Sequence, residues 1–279
     1  MIHVKMTSGL GNQLFQYASA KNLARLNNTD LYLDLEWFNK RTAPRKFELD
    51  YFCVKYKTMN KYILKLYNRI HAPLIYREKT PFDYDVNFLN LRGQNILLSG
   101  YWAKFPYFDD IRDELIKEIQ PKLINSKNQN MLKIIDSTNS VSIHIRRGDY
   151  LTEPLFKLLD DSYYEPAITY MMKKGFNPTF YIFSDDIEYC KKYKYHENFH
   201  IVDLNYGNDS YMDLVLMSKC KHNIIANSTF SWWAAYLNNN LCKTIIYPKI
   251  HHNVENIPKR WKAYTYNPYK EKPDSWIAI

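Results

Sequence analysis

A chain of 279 residues with 46% hydrophobic and 24% charged side chains has a globular balance, which excludes an extended disordered polymer. Its formal charge of +9 points to a polyanionic partner: nucleic acid, an acidic membrane surface or a nucleotide substrate. Cys53, Cys190, Cys220 and Cys242 have neither zinc spacing nor the density of a disulfide scaffold, so reduced thiols in a cytoplasmic protein are expected. The opening residues do not read as a signal peptide, and no apolar run is long enough to cross a bilayer.

Taken in order, Ile2, Val4 and Met6 alternate as a strand, Thr7 to Asn12 form a turn, and Leu10, Leu14, Tyr17 and Ala18 start a helix that runs to about Leu26. Leu31 to Leu33 is a second strand with Asp34 at its carboxyl end. Gly9-Leu10-Gly11 is not a dinucleotide fingerprint, because Leu14 stands where the third glycine belongs. A glycine-bearing turn into a helix presents backbone N–H groups to an anion, and a plain tight turn explains it equally well. Between residues 40 and 95 the pattern is least informative. Ile63, Leu66, Tyr67 and Ile70 fit one face of a helix with cations on the other. A solvated basic helix is the simpler assignment, and contact with an anionic membrane is the sharper one. Ile96 to Leu98 is a buried strand, a helix follows from Phe108 to Ile119, residues 125–130 are polar and turn-rich, and Met131 to Ile135 is helical. The domain boundary is expected after Asp136, giving domains 1–136 and 137–279.

The second half alternates strand and helix regularly, which implies a parallel sheet. The expected strands are Val141 to Ile145, Phe180 to Phe183, Phe199 to Val202, Ile224 to Ala226 and Thr244 to Tyr247. The expected helices are Tyr163 to Lys174, Tyr211 to Lys219 with Asp209 or Ser210 as N-cap, and Phe230 to Leu237. Three polar clusters then fall at carboxyl ends of parallel strands, on one sheet edge: His144, Arg146, Arg147 and Asp149; Ser184, Asp185 and Asp186; and Asn227, Ser228, Thr229, Phe230 and Ser231. Guanidiniums fork onto phosphate oxygens. A carboxylate such as Asp185 or Asp186 accepts the paired N–H donors of a guanine edge, and a helix N-terminus favours an anion. Each cluster also has a structural explanation: arginines salt-bridged to Asp149, a helix cap at Asp185-Asp186, and ordinary N-capping at Ser228-Thr229. Their convergence on one edge favours a nucleotide site.

These residues resemble a known family. His144-Ile145-Arg146-Arg147-Gly148-Asp149-Tyr150 looks like the HxRRxD motif of the α-1,2-fucosyltransferases, glycosyltransferase family eleven, of bacterial type. Ser8 to Ala18, Phe183 to Asp186 and Asn227 to Ala235 resemble its other motifs, and Gly100 to Phe105 resembles a further stretch. They occur in the family's order over nearly the whole chain. Ser8 stands where the family often has glycine, and Tyr236 where tryptophan is common. The resemblance implies a GT-B-like fold of two doubly wound, Rossmann-like α/β domains, the first on the acceptor side and the second holding the donor. It implies inverting transfer from GDP-fucose to the 2-hydroxyl of a galactose-terminated glycan, as in lipopolysaccharide or other glycan biosynthesis, with no cofactor and no essential metal. Residue by residue, it implies Arg146 on the diphosphate as the catalytic cation, with Arg147 and Asp149 beside it. His144 would lie near the ribose or guanine, Asp185 or Asp186 on guanine, and Ser228 to Ser231 around the phosphates. Gly11 and the catalytic Asn12 would face the same ligand.

No catalytic base is identified; Asp34, Glu36 and Glu153 are candidates by position only. The rival from another class is a basic, non-catalytic binder of nucleic acid or membrane, but no nucleic-acid-binding motif is found, and nucleic acid is not an expected partner. Rival enzyme readings are another fucosyl linkage or another nucleotide sugar. Location at the inner face of the membrane is expected of a peripheral enzyme.

Overall fold

The computed structural model describes residues 1–80, 83–175, 177–193, 197–259, 273 and 275–279. The chain divides into two compact units, with the change between Lys122 and Leu123. The first unit holds β1 (Ile2–Lys5), α1 (Leu10–Leu26), β2 (Leu31–Asp34), α2 (Lys61–Ile70), β3 (Leu74–Arg77), β4 (Ile96–Ser99) and α3 (Arg112–Glu118). The second holds α4 (Ser126–Asp136), β5 (Ser140–Ile145), α5 (Asp161–Lys173), β6 (Thr179–Ser184), α6 (Ile187–Cys190), β7 (Phe199–Ile201), α7 (Tyr211–Lys219), β8 (His222–Ile224), α8 (Thr229–Leu237), β9 (Ile245–Tyr247) and β10 (Ile277–Ala278).

The first sheet has order β2-β1-β4-β3 and the second β10-β9-β8-β5-β6-β7, and every pairing is parallel. The expected α/β class with parallel sheets is therefore what the chain adopts. In the second sheet the chain leaves β5 through β6 to β7, then returns to the other side of β5 at β8. The strand order thus reverses beside β5, and in open α/β sheets the crevice at such a reversal is where ligands bind. All six residues of β5 are buried, as a central strand covered on both faces requires.

Several elements differ from the sequence reading. Helix α4 begins at Ser126, so the stretch read as turn-rich forms its first half, with the Asn125 side chain accepting from the Asn128 N–H at 3.0 Å. That helix lies before the expected boundary yet belongs with the second unit. Asn128 and Asn205 exchange side-chain hydrogen bonds of 2.8 and 3.0 Å in the interior, and Asn205 also donates to Asp213 at 2.7 Å. A buried amide pair of this kind is satisfied only when both partners dock. The helix expected from Phe108 is one 3₁₀ turn at Asp109–Ile111 followed by α3. Strand β8 ends at Ile224, two residues before the expected end. Ser210 does stand at the N-cap of α7, but its hydroxyl donates back to the Gly207 carbonyl instead of capping. The exposed face of α2 includes Ile63, Leu66 and Ile70. Strands β3 and β10 had no sequence signal.

Helix α1 is buried almost all round, including Gln13, Gln16, Ser19 and Asn22. These polar groups recur every third residue and hold loop backbone. Gln13 donates to the Ser8 and Lys46 carbonyls, Gln16 to Gly100, Ser19 to Trp102 and Asn22 to Tyr107, over 2.8–3.1 Å. A buried polar group is tolerated when it finds such a partner. The helix is thus the clamp that fixes the loops at the carboxyl ends of β1 and β4. All four cysteines are free thiols.

One consequence concerns acid stability. His222 is buried in β8, and its Nδ1 accepts from the Thr244 N–H at 2.9 Å, which requires the neutral ring. Burial, helped by Lys174 and Lys221, pushes its pKa down from 6.5 to about 4. The unfolded chain therefore takes up this proton first. Its contribution is complete above pH 6.5 and is lost as pH falls towards 4, with a ceiling of about 3 kcal/mol. His222→Gln should flatten the fall of unfolding free energy over that window in urea titrations. A variant with the same pH slope as wild type would refute this.

Candidate functional site

The second unit brings the three polar clusters together. In the β5–β6 register Ile145 faces Ser184, so the next residues, Arg146 and Asp185, emerge side by side. The Asp185 carboxylate then bridges the two strand ends. Its Oδ1 accepts from the Arg147 backbone N–H at 2.9 Å, and its Oδ2 pairs with Arg146 at 2.7 Å. The Arg146 guanidinium also pairs with Asp149, and it lies 5.5 Å from the Tyr150 ring centroid. Arg147 donates through Nε to Asp186 at 2.9 Å and stacks over Tyr189 at 3.7 Å. Gly148 lies so close to Asp185 that a Cβ would meet Oδ2 at 2.4 Å, so only glycine lets the carboxylate sit under this turn.

Asp186 has a second task. It caps α6 by accepting from the Tyr189 N–H at 3.0 Å, and this hydrogen bond, together with Arg147, holds its carboxyl below the usual range. The helix-cap explanation thus holds for Asp186, and the salt-bridge explanation holds in part for Arg146. Neither fills the donors and acceptors of the cluster. Arg146 has five N–H donors, of which two serve carboxylates. A carboxylate has about four acceptor positions, and Asp185 uses two. Ser184 accepts from the Asp186 N–H at 2.9 Å and belongs to the turn itself.

The third cluster is tied in by Tyr150, whose hydroxyl donates to the Asn227 carbonyl at 2.8 Å. Asn227 and Ser231 are buried and act on the protein's own backbone. Asn227 donates to the Lys157 and His251 carbonyls at 2.7 and 2.8 Å, and Ser231 to the Ala226 and Ser228 carbonyls. Both were expected on the ligand; their hydrogen bonds hold the turn after β8, and Asn227 Oδ1 is left without a partner among the described residues. Ser228 caps α8 at the Phe230 N–H, while Thr229 and Phe230 are half-buried and open the helix. Helix α8 has no acidic residue in its first turn, so its N-terminal partial charge is unopposed by its own side chains.

His144 is buried beside the Phe230 ring, at 5.8 Å. Burial, with Arg146 against it and Asp185 in its favour, lowers its pKa to about 4, so the imidazole is neutral at pH 7. Its Nδ1 has no hydrogen-bond partner among the described residues. Asn227 Oδ1 is likewise unpartnered among the described residues, and buried polar atoms left in this way are candidates for a ligand group. Tyr150 and Tyr189 were not assigned roles from sequence. Tyr150 follows the motif directly, but nothing local signals its reach to Asn227.

In the first unit, Gly11 is buried at the start of α1, and the half-buried Asn12 donates its side chain to the Ser8 hydroxyl at 3.1 Å. Ser8 has φ of 71°, a left-handed conformation that favours glycine, the residue the resemblance often places at this position. Of the positional base candidates, Asp34 accepts from the Glu36 N–H at 3.0 Å and so caps its own turn. Among the described residues no group of three or more His, Cys, Asp or Glu side chains is arranged to hold a metal ion.

Comparison with known proteins follows the same lines. The model of glycosyl transferase family 11 matches residues 1–267. The sequence is 31% identical to an alpha-1,2-colitosyltransferase of Escherichia coli, over 100% of this chain and 99% of that protein. It is 33% identical to the O-antigen biosynthesis glycosyltransferase WbnK of Escherichia coli, over 98% and 99%. A galactoside 2-alpha-L-fucosyltransferase of Bos taurus is 24% identical over 82% of this chain and 62% of its own length. Among solved structures, fucosyltransferase NodZ from Bradyrhizobium superposes with a TM-score of 0.56 over 84% of this chain and 92% of that one, at 12% identity. That likeness is one of fold, and it places the two α/β units in the GT-B class.

The Gly148–Asp185 contact makes a prediction that needs no assay of function. Gly148→Ala should destabilise by about 1–3 kcal/mol through overpacking against the carboxylate. In an Asp185→Ala background the same change should have a much smaller effect, since the atom it meets is gone. Urea unfolding of the four proteins closes the cycle. Equal losses in both backgrounds would show that Asp185 is not what the Cβ meets.

Proposed function

This chain belongs to glycosyl transferase family 11 and is a glycosyltransferase; we propose that it moves fucose from GDP-fucose, with inversion, to the 2-hydroxyl of a β-galactoside at a glycan terminus, without a metal ion. The observation that carries this reading is Arg146, clamped between Asp149 and Asp185 at the strand-order reversal, with an unopposed helix N-terminus following the adjacent strand. Support for the α-1,2 linkage comes from the motifs and from the names of two full-length or partial relatives, the colitosyltransferase and the bovine galactoside fucosyltransferase.

In such a transfer the barrier lies in the departure of a diphosphate from an oxocarbenium-like centre. Charge grows on the leaving oxygens as the glycosidic bond lengthens. The remaining N–H donors of Arg146 and the first turn of α8 are the groups this reading assigns to that charge, with Arg147 supporting them. Asp185 retains two acceptor positions for the N1–H and N2–H of guanine, and the neutral His144 accepts or donates at the ribose or base. Asn227, Ser228 and Ser231 position the helix end; Thr229 and Phe230 border the phosphates. Asn12 and Gly11 of the first unit keep the catalytic and binding roles that the family motif assigns them, on the acceptor side.

The colitosyltransferase relative, matched end to end, favours one second reading. Colitose is fucose without its 3-hydroxyl, so the same chemistry serves a 3-deoxy donor. The test is a donor screen with GDP-fucose, GDP-colitose, GDP-mannose and UDP-galactose against β-galactosides, with product mass and linkage read, and each reaction repeated in EDTA. GDP-fucose should be used and UDP-galactose should not, and EDTA should leave the rate unchanged. Arg146→Lys keeps the charge but loses the planar fork, and should lower turnover by roughly 10²–10³ with little change in melting temperature. A normally folded Arg146→Lys enzyme with wild-type turnover would remove the role given to Arg146, and activity that vanishes in EDTA and returns with Mg²⁺ would remove the metal-free mechanism.

A further inference from the structure

The first unit carries an apolar surface to which no donor or acceptor role has been assigned. Helix α2 meets the sheet through Tyr67, whose ring lies 6.4 Å from that of His3 in β1, and through Asn95, whose amide donates to the Asn68 side chain at 3.0 Å and to the His71 carbonyl at 2.5 Å, while Leu64 is half-buried. Its other apolar residues point to solvent. Tyr62 is 71% exposed, Ile63 59%, Leu66 59% and Ile70 68%. Tyr62, Leu66 and Ile70 are four apart and form one stripe along the helix. Lys61, Lys65 and Arg69, also four apart, form the stripe next to it. The edge strand β3 follows after three residues and begins with Leu74 and Ile75, again exposed. No buried residue anchors α2 from within.

The charge around this face is of one sign. From residue 61 to 79 there are five basic side chains, the three of α2 with Arg77 and Lys79, and one acid, Glu78. Glu78 does not face outward. Its carboxylate accepts from the Tyr101 and Trp102 N–H groups at 2.7 and 3.0 Å and holds the turn after β4. An apolar stripe beside a cationic one, with an aromatic at the boundary and no outward-facing acid within residues 61–79, matches an anionic bilayer surface. Apolar side chains enter the acyl boundary while the cations stay among the headgroups. A second copy of the chain fits badly, because a two-fold contact through this face sets the cations of both copies together with no acid to pair them. We infer that α2 and the start of β3 form a docking surface for a membrane rich in anionic phospholipid, and that the protein works as a peripheral enzyme held there by an interfacial helix.

This inference stands apart from the donor and acceptor assignments, and its test is a binding measurement. The full chain is sedimented with vesicles of phosphatidylcholine alone and of phosphatidylcholine mixed with phosphatidylglycerol. Two variants are compared, Leu66→Ser with Ile70→Ser, and Lys61→Gln with Lys65→Gln and Arg69→Gln. All five side chains lie on the outward part of α2, so both variants should melt as wild type does. Wild type should bind the anionic vesicles strongly and the neutral ones weakly, and binding should fall with added salt. The charge variant should lose roughly a hundredfold in partitioning and the apolar variant about tenfold or more. Equal binding to both vesicle types, or variants that bind as wild type does, would overturn the inference. So would lipid-free dimerisation that Leu66→Ser with Ile70→Ser abolishes, which would give the face to a second copy.

Discussion

The Asp185 carboxylate is the point at which the second unit's chemistry is assembled. It lies at the end of β6, yet it bonds the side chain of Arg146 and the backbone of Arg147 at the end of β5. Gly148 is required for it to fit, and Asp149 completes the clamp on the guanidinium. From there Tyr150 reaches Asn227 in the turn that follows β8, and Asn227 fastens the loops at Lys157 and His251. Three strand ends are thereby joined in one hydrogen-bonded chain. A network of this kind is stable only when its members are all satisfied, because each unpaired polar group inside a protein is expensive. Two buried atoms at this edge, His144 Nδ1 and Asn227 Oδ1, have no hydrogen-bond partner among the described residues, and they are for that reason the most informative ones.

What lies under the network explains why it sits where it does. The six residues of β5 are wholly buried between layers, so they have no room for charge. The two arginines can appear only where the strand leaves the sheet. The parallel arrangement then sends every such departure to the same edge. In the first unit the same constraint acts through a helix. The polar residues of α1 are buried and spend their hydrogen bonds on loop backbone, so that helix serves as scaffold in its interior and carries its motif residues Gly11 and Asn12 at its first turn.

Much of this was legible in the sequence. Period-two alternation located β5, the apolar run Phe180 to Phe183 located β6, and the polar residues that end each marked the clusters. Helix α1 was legible to its ends because apolar spacing and a glycine turn agree. What could not be read depends on register or on sparse burial. That Arg146 meets Asp185 follows from Ile145 pairing with Ser184, a relation between strands with nothing local to announce it. The front half of α4 has Asn128 as its buried residue, so no apolar period betrays it, and the change of unit falls ahead of it rather than after Asp136. Strand β3 has four residues at a sheet edge, three of them exposed, too short and too open to show an alternation. On α2 the division into apolar and cationic sides was visible, but the sequence alone does not say which side meets the core.

The charge balance of the cluster bears on how an anion would be held. Arg146 and Arg147 supply two positive charges and Asp149, Asp185 and Asp186 three negative ones, while His144 is neutral. The immediate sum is −1, although the whole chain carries +9. On the proposed function, a diphosphate would therefore not be drawn to this edge by bulk charge. Its recognition would rest on directed N–H groups: those Arg146 keeps beyond its carboxylates and those of the first turn of α8. On the proposed reaction this arrangement has a kinetic meaning. Carboxylates that fix the guanidinium plane also offset its pull on the bound donor, so ground-state binding is moderated. When negative charge builds on the departing oxygens, the oriented donors strengthen their hold without any rearrangement. Only the part of an interaction that grows on the way to the transition state raises the rate. An arginine held in place by acids gains more in that respect than a freely moving one, which would bind the substrate and the transition state with more nearly equal strength.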